Sequence, residues 1–386
     1  MIQAVKSKRT IRHITVVLVS LLGMLLAVEI GLRVFWQPPV SVNYYRTDDT
    51  FHHRGRPNVV IHHVLHDGQT IEVVTNSQGL RDVEYGPKPD GVTRILVLGD
   101  SFTEAGTAPF PFCSTKILER KLNDKFGAGR FQVINAGQVS YSPLLEYLLL
   151  SKELIDLAPD LVLLNLDMTD VQDDQLYTRI AQFDEQGLPV AVPFRPIPTV
   201  IAKEPPQKNH LLGFLYYKVF IVKFIAERTH YFEKSFTRQT IAQGDIDTDR
   251  LGTTRDELTG WEPYYKQTGA YVRLIRDYLA ARDIPLVVFV YPHGHQVAAR
   301  EWAQGRELYA FEKDRVYRGT FVPFLEAYCP RHDLDCRFLR QEFQQYSGDD
   351  LLYLPFNGHF TRAGEAMLAL LQFDILTGGD YAAIIH

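Results

Sequence analysis

Four short, continuous apolar runs constrain the fold of this chain more than any other feature. Residues 94–99 read RILVLG, 131–135 FQVIN, 161–165 LVLLN and 284–291 IPLVVFVY. Such runs are what strands buried in a parallel sheet show. Helical sequence lies between them, at 114–126, 143–157 and about 269–281. A last helix starts near Thr361 and runs through RAGEAMLALLQF. Strands alternating with helices predict an α/β fold with a mostly parallel sheet. The third and fourth runs stand about a hundred residues apart, which marks an insertion at about 175–265.

The N-terminus poses a separate constraint. Residues 14–35 read ITVVLVSLLGMLLAVEIGLRVF, the length that crosses a bilayer as a helix. Its only charges, Glu29 and Arg33, stand four apart and can pair on one helical face. Trp36 suits an interface, and Pro38 and Pro39 stop the helix. Lys6, Lys8, Arg9 and Arg12 precede the run, which predicts a cytoplasmic N-terminus and an extracytoplasmic remainder. A cleaved signal peptide is the competing reading. The run is long for one, and no small-x-small site precedes Trp36. The expected organisation is a basic tail (1–13), a single-pass membrane anchor (14–36), a linker (37–57), a β-rich extension (58–93) and the α/β domain (94–386).

The remaining features say less about chemistry. Residues 58–75 read as a hairpin about the turn Asp67-Gly68. His52, His53, His62, His63 and His66 cluster here, but adjacent strand residues point to opposite faces, so no metal site is expected. Cys329 and Cys336 lie close together in YCPRHDLDCRF. A local disulfide and two free thiols are equally open, while Cys113 reads as a small hydrophobe. Within the insertion, 211–232 is apolar and aromatic, but Lys218 and Lys223 interrupt it. It reads as a buried helix rather than a second span; a lid or a membrane-surface helix is the alternative. With a net charge of -5 over 386 residues, nothing argues for a nucleic-acid partner.

Parallel sheets carry their sites at the carboxyl ends of the strands, and in this chain those ends are polar. The first run ends in Gly99-Asp100-Ser101, the second in Asn135-Ala136-Gly137, and the third continues through Asp167, Thr169 and Asp170. Asn357-Gly358-His359 precedes the last helix, and His293 and His295 follow the fourth run, where they can line a pocket. A serine needs a base to become a nucleophile, and histidine titrates near neutral pH. Ser101 and His359 are therefore the candidate nucleophile and base. The alternative for Ser101 is a plain helix cap. Backbone N–H groups of Ser101 and Gly137 are candidate donors to an oxyanion. Asp100 is expected to hold the backbone of the nucleophile turn.

GDSF (99–102), VINAGQVSYS (133–142) and NGHFTRAGEAMLA (357–369) resemble, in order, the first, second and last blocks of the SGNH (GDSL-type) hydrolase family. TNSQGLRD (75–82) is similar to a segment ahead of the catalytic domain in its membrane-anchored bacterial members. The resemblance implies a three-layer α/β/α, flavodoxin-like domain in the periplasm. It also implies ester hydrolysis or, in some branches, acetyl transfer to or from carbohydrate. Two positions depart from the family pattern. Its third block supplies an asparagine donor to the oxyanion; the matching pair in this chain is Thr169-Asp170, with Asn165 or Asn135 as substitutes. Its last block carries an aspartate two or three residues before the histidine; those residues are Phe356 and Asn357. Three outcomes are open: Asp349 or Asp350 reaches the ring, a backbone carbonyl orients it and leaves a working Ser101–His359 dyad, or the site no longer performs chemistry.

The expected function is a membrane-anchored carbohydrate O-acyl esterase or deacetylase. The alternatives are an O-acetyltransferase working with exported-polysaccharide assembly machinery, and a degenerate binding or scaffold protein. There is no nucleotide-binding glycine loop and no strong metal motif, so no cofactor is expected.

Overall fold

The computed structural model describes residues 2–35, 44–64, 70–194, 219, 221–222, 224–225, 248–257, 259–379 and 381–385. They divide between two units, one of Met1–Ser41 with Ile201–Asp245, the other of Val42–Val200 with Ile246–His386.

In the first unit, helix α1 (Ile2–Phe35) contains Arg12–Val34, long and apolar enough to cross a membrane. Arg33 pairs with Glu29 at 2.7 Å, as their spacing allows. The other Glu29 carboxylate oxygen accepts the Ile221 N–H at 3.0 Å. Most of 211–232, with its three readings, lies outside the described residues.

The second unit opens with two small antiparallel pairs. β1 (Tyr45–Asp48) and β2 (His52–Gly55) pair within the stretch that composition assigns to a linker. Asp48 explains the difference: its Oδ1 accepts the N–H groups of Thr50 and Phe51 and closes the turn. Phe51, His52 and Arg54 are then buried, and Arg54 forks onto both carboxylate oxygens of Glu153 at 2.6 Å each. β3 (Val60–Val64) and β4 (Thr70–Val74) form the expected hairpin, its turn lying outside the described residues.

The main sheet contains β5 (Thr93–Leu98), β6 (Phe131–Asn135) and β7 (Leu161–Leu166). After the short pair β8 (Gln182–Phe183) and β9 (Pro189–Ala191) come β10 (Leu286–Val290) and β11 (Cys336–Phe338). The order is β11-β10-β7-β5-β6 and every pairing is parallel. This is the flavodoxin-like 2-1-3-4-5 arrangement. The edge strand β11 has no apolar run to announce it. Cys336 pairs with Val288 in register and is disulfide-bonded to Cys329; Cys113 is a buried free thiol.

Helices cover both faces. α2 (Ser101–Glu104) follows β5, then come α3 (Ser114–Phe126), α4 (Pro143–Lys152), α5 (Asp170–Thr178), α6 (Glu262–Ala280), α7 (Phe321–Arg331) and α8 (Arg362–Thr377). Alternation along β5 sends Ile95 and Val97 to a core with Leu118 of α3 and Leu368 of α8. Leu96 and Leu98 enter the opposite core with Leu148 of α4 and Ile275 of α6. α6 starts seven residues before the apolar pattern predicts, because Pro263 occupies its first turn.

Candidate active site

Asp100 builds the turn that carries Ser101. Its Oδ1 accepts the Phe102 N–H at 2.8 Å and caps α2. Ser101 is the first residue of that helix. A backbone N–H at a helix start has no intrahelical acceptor and faces outward. The Ser101 hydroxyl lies 3.5 Å from Asp100 Oδ2 and 2.8 Å from His359 Nε2.

His359 reaches it from a folded-back loop. Tyr353 and Phe360 form an antiparallel bridge, and Leu354 N–H donates to the His359 carbonyl at 2.8 Å. Thr361 caps α8 through the Ala363 and Gly364 N–H groups. The imidazole stacks on the Phe102 ring, centroids 4.8 Å apart. The residue after the serine thus sets the plane of the His359 ring. Asn357 Oδ1 accepts the backbone N–H of His359 at 3.1 Å. It fixes the loop, and this oxygen is spent on backbone rather than on the ring. Asp349 and Asp350 are exposed, and their carbonyls take the Arg300 guanidinium.

The expected oxyanion donors fare differently. Gly137 packs against α2 so closely that a Cβ there would come within 2.2 Å of the Glu104 nitrogen. Only glycine fits, and its N–H donates to Asn135 Oδ1 at 3.0 Å. Thr169 lines the pocket, yet its hydroxyl and its N–H both donate to Asp167 Oδ1, each at 2.6 Å. A hydroxyl has one proton, so Thr169 is no substitute for an amide donor in this arrangement. Asn165 is also committed: its Nδ2 donates to Thr103 and its Oδ1 accepts from Gln372. Asp170 Oδ2 accepts the Asp167 N–H and serves the loop. Burial, then the neighbouring Asp167 charge, push the Asp170 carboxyl well up.

The site also holds a pair that the motifs do not identify. His293 Nε2 lies 3.1 Å from Asp167 Oδ2, with both side chains buried. Burial alone would raise the Asp167 carboxyl. The His293 bond and charge and the Thr169 donors outweigh it and hold the group below its ordinary value. His293 packs edge-on against Phe102 at 5.4 Å. The sequence offers His293 as pocket lining, but nothing in it singles out Asp167 from its neighbours Asp170, Asp173 and Asp174. His295 points elsewhere. It is fully buried against Phe311, 4.2 Å away, and burial drives its pKa well down.

Ser101, His359 and His293 line one cavity of about 130 Å³. Asp100 and Asp173 also line it, and no Lys or Arg does among the described residues. Trp302 and Tyr309, ring centroids 5.5 Å apart, form an aromatic wall. No sequence signal marks Trp302, because it reaches the pocket through a left-handed backbone turn at φ 53°. Among the described residues, no group of three or more His, Cys, Asp or Glu could hold a metal ion.

No protein-family model and no curated protein matches the chain. Solved structures do. The chain resembles G-D-S-L lipolytic enzymes. A lipase/acylhydrolase from Enterococcus faecalis is 12% identical, with 74% of this chain and 96% of that one covered and a TM-score of 0.40. An acetyl xylan esterase is 11% identical, with 73% and 99% covered and a TM-score of 0.39. A G-D-S-L family member from Veillonella parvula is 12% identical, with 74% and 99% covered and a TM-score of 0.36.

Proposed function

We propose that this chain is a membrane-anchored serine esterase of SGNH type that removes a short acyl group, acetyl by preference, from carbohydrate. The observation that carries the reading is the 2.8 Å approach of Ser101 Oγ to His359 Nε2 in a cavity. The Ser101 hydroxyl passes its proton to Nε2 as Oγ bonds to the ester carbonyl carbon. The oxyanion that forms faces the Ser101 N–H at the start of α2. As the C–O bond to the sugar breaks, His359 returns the proton to the departing alkoxide. Water then repeats the cycle on the acyl-enzyme, with His359 again as base.

The imidazolium formed in each half-reaction needs a negative neighbour. Asp100, 3.5 Å from the serine oxygen, is the carboxylate in place for it. A cavity of about 130 Å³ suits acetyl and not a long acyl chain, and the Trp302–Tyr309 wall suits a sugar ring. The Ser–His contact favours catalysis over the binding-only reading.

A fluorophosphonate should label Ser101 in the wild-type chain and fail in Ser101→Ala and His359→Ala. Acetate released from an O-acetylated glycan supports hydrolysis. Label moved to a second glycan without free acetate makes the chain a transferase. Absence of labelling in folded protein sinks the proposal.

A further inference from the structure

We infer that a groove between α6 and α7 binds an acidic glycan, one whose sugar rings carry carboxylates. The groove encloses about 580 Å³, within the range of roughly 300–1,000 Å³ that ligand sites occupy. It is distinct from the cavity at Ser101 and shares no lining residue with it.

Lys266, Ala270 and Arg273 fall on one stripe of α6, and Phe324, Ala327 and Tyr328 face them from α7. The two alanines leave the hollow. Gly269 lets α7 come close, since a Cβ there would stand 2.7 Å from the Tyr328 ring. Phe324 and Tyr328 stack at 5.2 Å, and His332 continues the row 4.0 Å from Tyr328. The result is a half-buried strip of ring faces, which pairs with the C–H face of a pyranose.

Charge chooses among the sugars. Lys266, Arg273 and Arg331 line the groove against one carboxylate, Glu262, already paired with Lys266 at 2.8 Å. The Arg273 guanidinium reaches His332 Nδ1 at 3.4 Å and the Tyr328 hydroxyl, neither of them a carboxylate. Among the groove residues neither Arg273 nor Arg331 has a carboxylate partner. Arg276, one turn from Arg273, shows the contrast by pairing with Asp277 at 2.6 Å and Asp333 at 3.7 Å. Two guanidiniums with no carboxylate partner among the groove residues, beside stacked rings in a chain of net charge -5, select a carboxylate-bearing ligand. A membrane surface fits less well, because the rings are recessed rather than protruding. Nucleic acid fits less well because the cations are few.

The groove and the Ser101 cavity give separate readouts, so failure of either proposal is visible by itself. The test uses the full chain in uncharged detergent and calorimetric titration with tetragalacturonate, xylotetraose and glycerol phosphate. Tetragalacturonate should bind at least tenfold more tightly than xylotetraose and weaken with added salt. Arg273→Gln with Arg331→Gln should weaken it tenfold or more, and Ala270→Trp, which fills the hollow without changing charge, should do the same. Small-ester turnover should stay unchanged in both variants. Equal binding of the neutral glycan, binding indifferent to these variants, or glycerol phosphate binding in place of the uronate overturns the proposal.

Discussion

Two imidazoles pack on the ring of Phe102, and they are bonded to opposite kinds of partner. His359 meets a hydroxyl, Ser101, at 2.8 Å, while His293 meets a carboxylate, Asp167, at 3.1 Å. A serine-hydrolase triad joins both contacts through one ring. In this chain they are divided between two. The ring beside Ser101 has no carboxylate from its own loop at the position of Asn357, which holds backbone. The ring beside the carboxylate keeps Asp167 ionised in the interior. Proximity to the serine and possession of a charge partner are separable properties, and the proposed base has only the first.

The largest effect expected is at Ser101 and His359, the proposed nucleophile and base. Ser101→Ala and His359→Ala should each lower ester turnover by roughly 10³ or more, read as initial rates and as loss of fluorophosphonate labelling. If His293→Ala did the same and His359→Ala did not, the roles of the two rings would be reversed.

His293→Ala should instead act first on stability. It strands Asp167 in the interior, a loss of about 3 kcal/mol for one partner of a buried pair, measured by denaturant unfolding at pH 7. The sign with pH follows from the lowered Asp167 pKa in the intact protein. That stabilisation is present above the ordinary carboxylate pKa and is lost as pH falls through the lower folded value. In the variant, burial dominates and the carboxyl shifts up. The deficit against wild type should therefore shrink as pH falls from the variant's raised carboxyl value down through the lowered value of the intact protein. A deficit that grows with acid would undo the contrast between the two rings.

Asn357→Asp probes the same division from the other side. The new carboxylate keeps the bond to the His359 N–H and adds a negative charge beside the ring. Turnover should rise about tenfold, about 1.4 kcal/mol of barrier. An unchanged rate would mean that Asp100 already supplies the charge.

The smallest effect is expected at Thr169. With its hydroxyl on Asp167, Thr169→Val should leave turnover within about threefold and cost about 1 kcal/mol of stability. An oxyanion donor would lose roughly 10²–10³ in kcat, so the kinetics decide its role directly.

Much of the frame is legible in the residues. The runs at 131–135 and 161–165 become β6 and β7 almost to the residue, because strands buried on both faces carry an apolar signal that nothing else in the chain mimics. β11 escapes notice for the same reason in reverse. A three-residue edge strand has no run to show, and only its pairing with β10 creates it. β1 and β2 lie in a stretch that reads as linker because their burial depends on contacts such as Arg54 with Glu153, ninety-nine residues away.

Local pattern is enough for the sheet-forming runs, for the apolar N-terminal helix, and for matching Ser101 at one strand end with His359 ahead of the last helix. Burial period and helix capping are written within a few residues. Which polar groups remain open for chemistry is a different matter, and folding settles it. Gly137, Thr169 and Asn165 carry the right atoms, but the folded backbone commits them: the Gly137 N–H to Asn135 and the Thr169 hydroxyl to Asp167, each two residues away, and one Asn165 amide hydrogen to Thr103 on the α2 turn. Asp167 is one acid among several until β10 delivers His293 to it. A hydrogen atom can be donated once, and the folded conformation settles who receives it, for near neighbours in the chain as for distant ones.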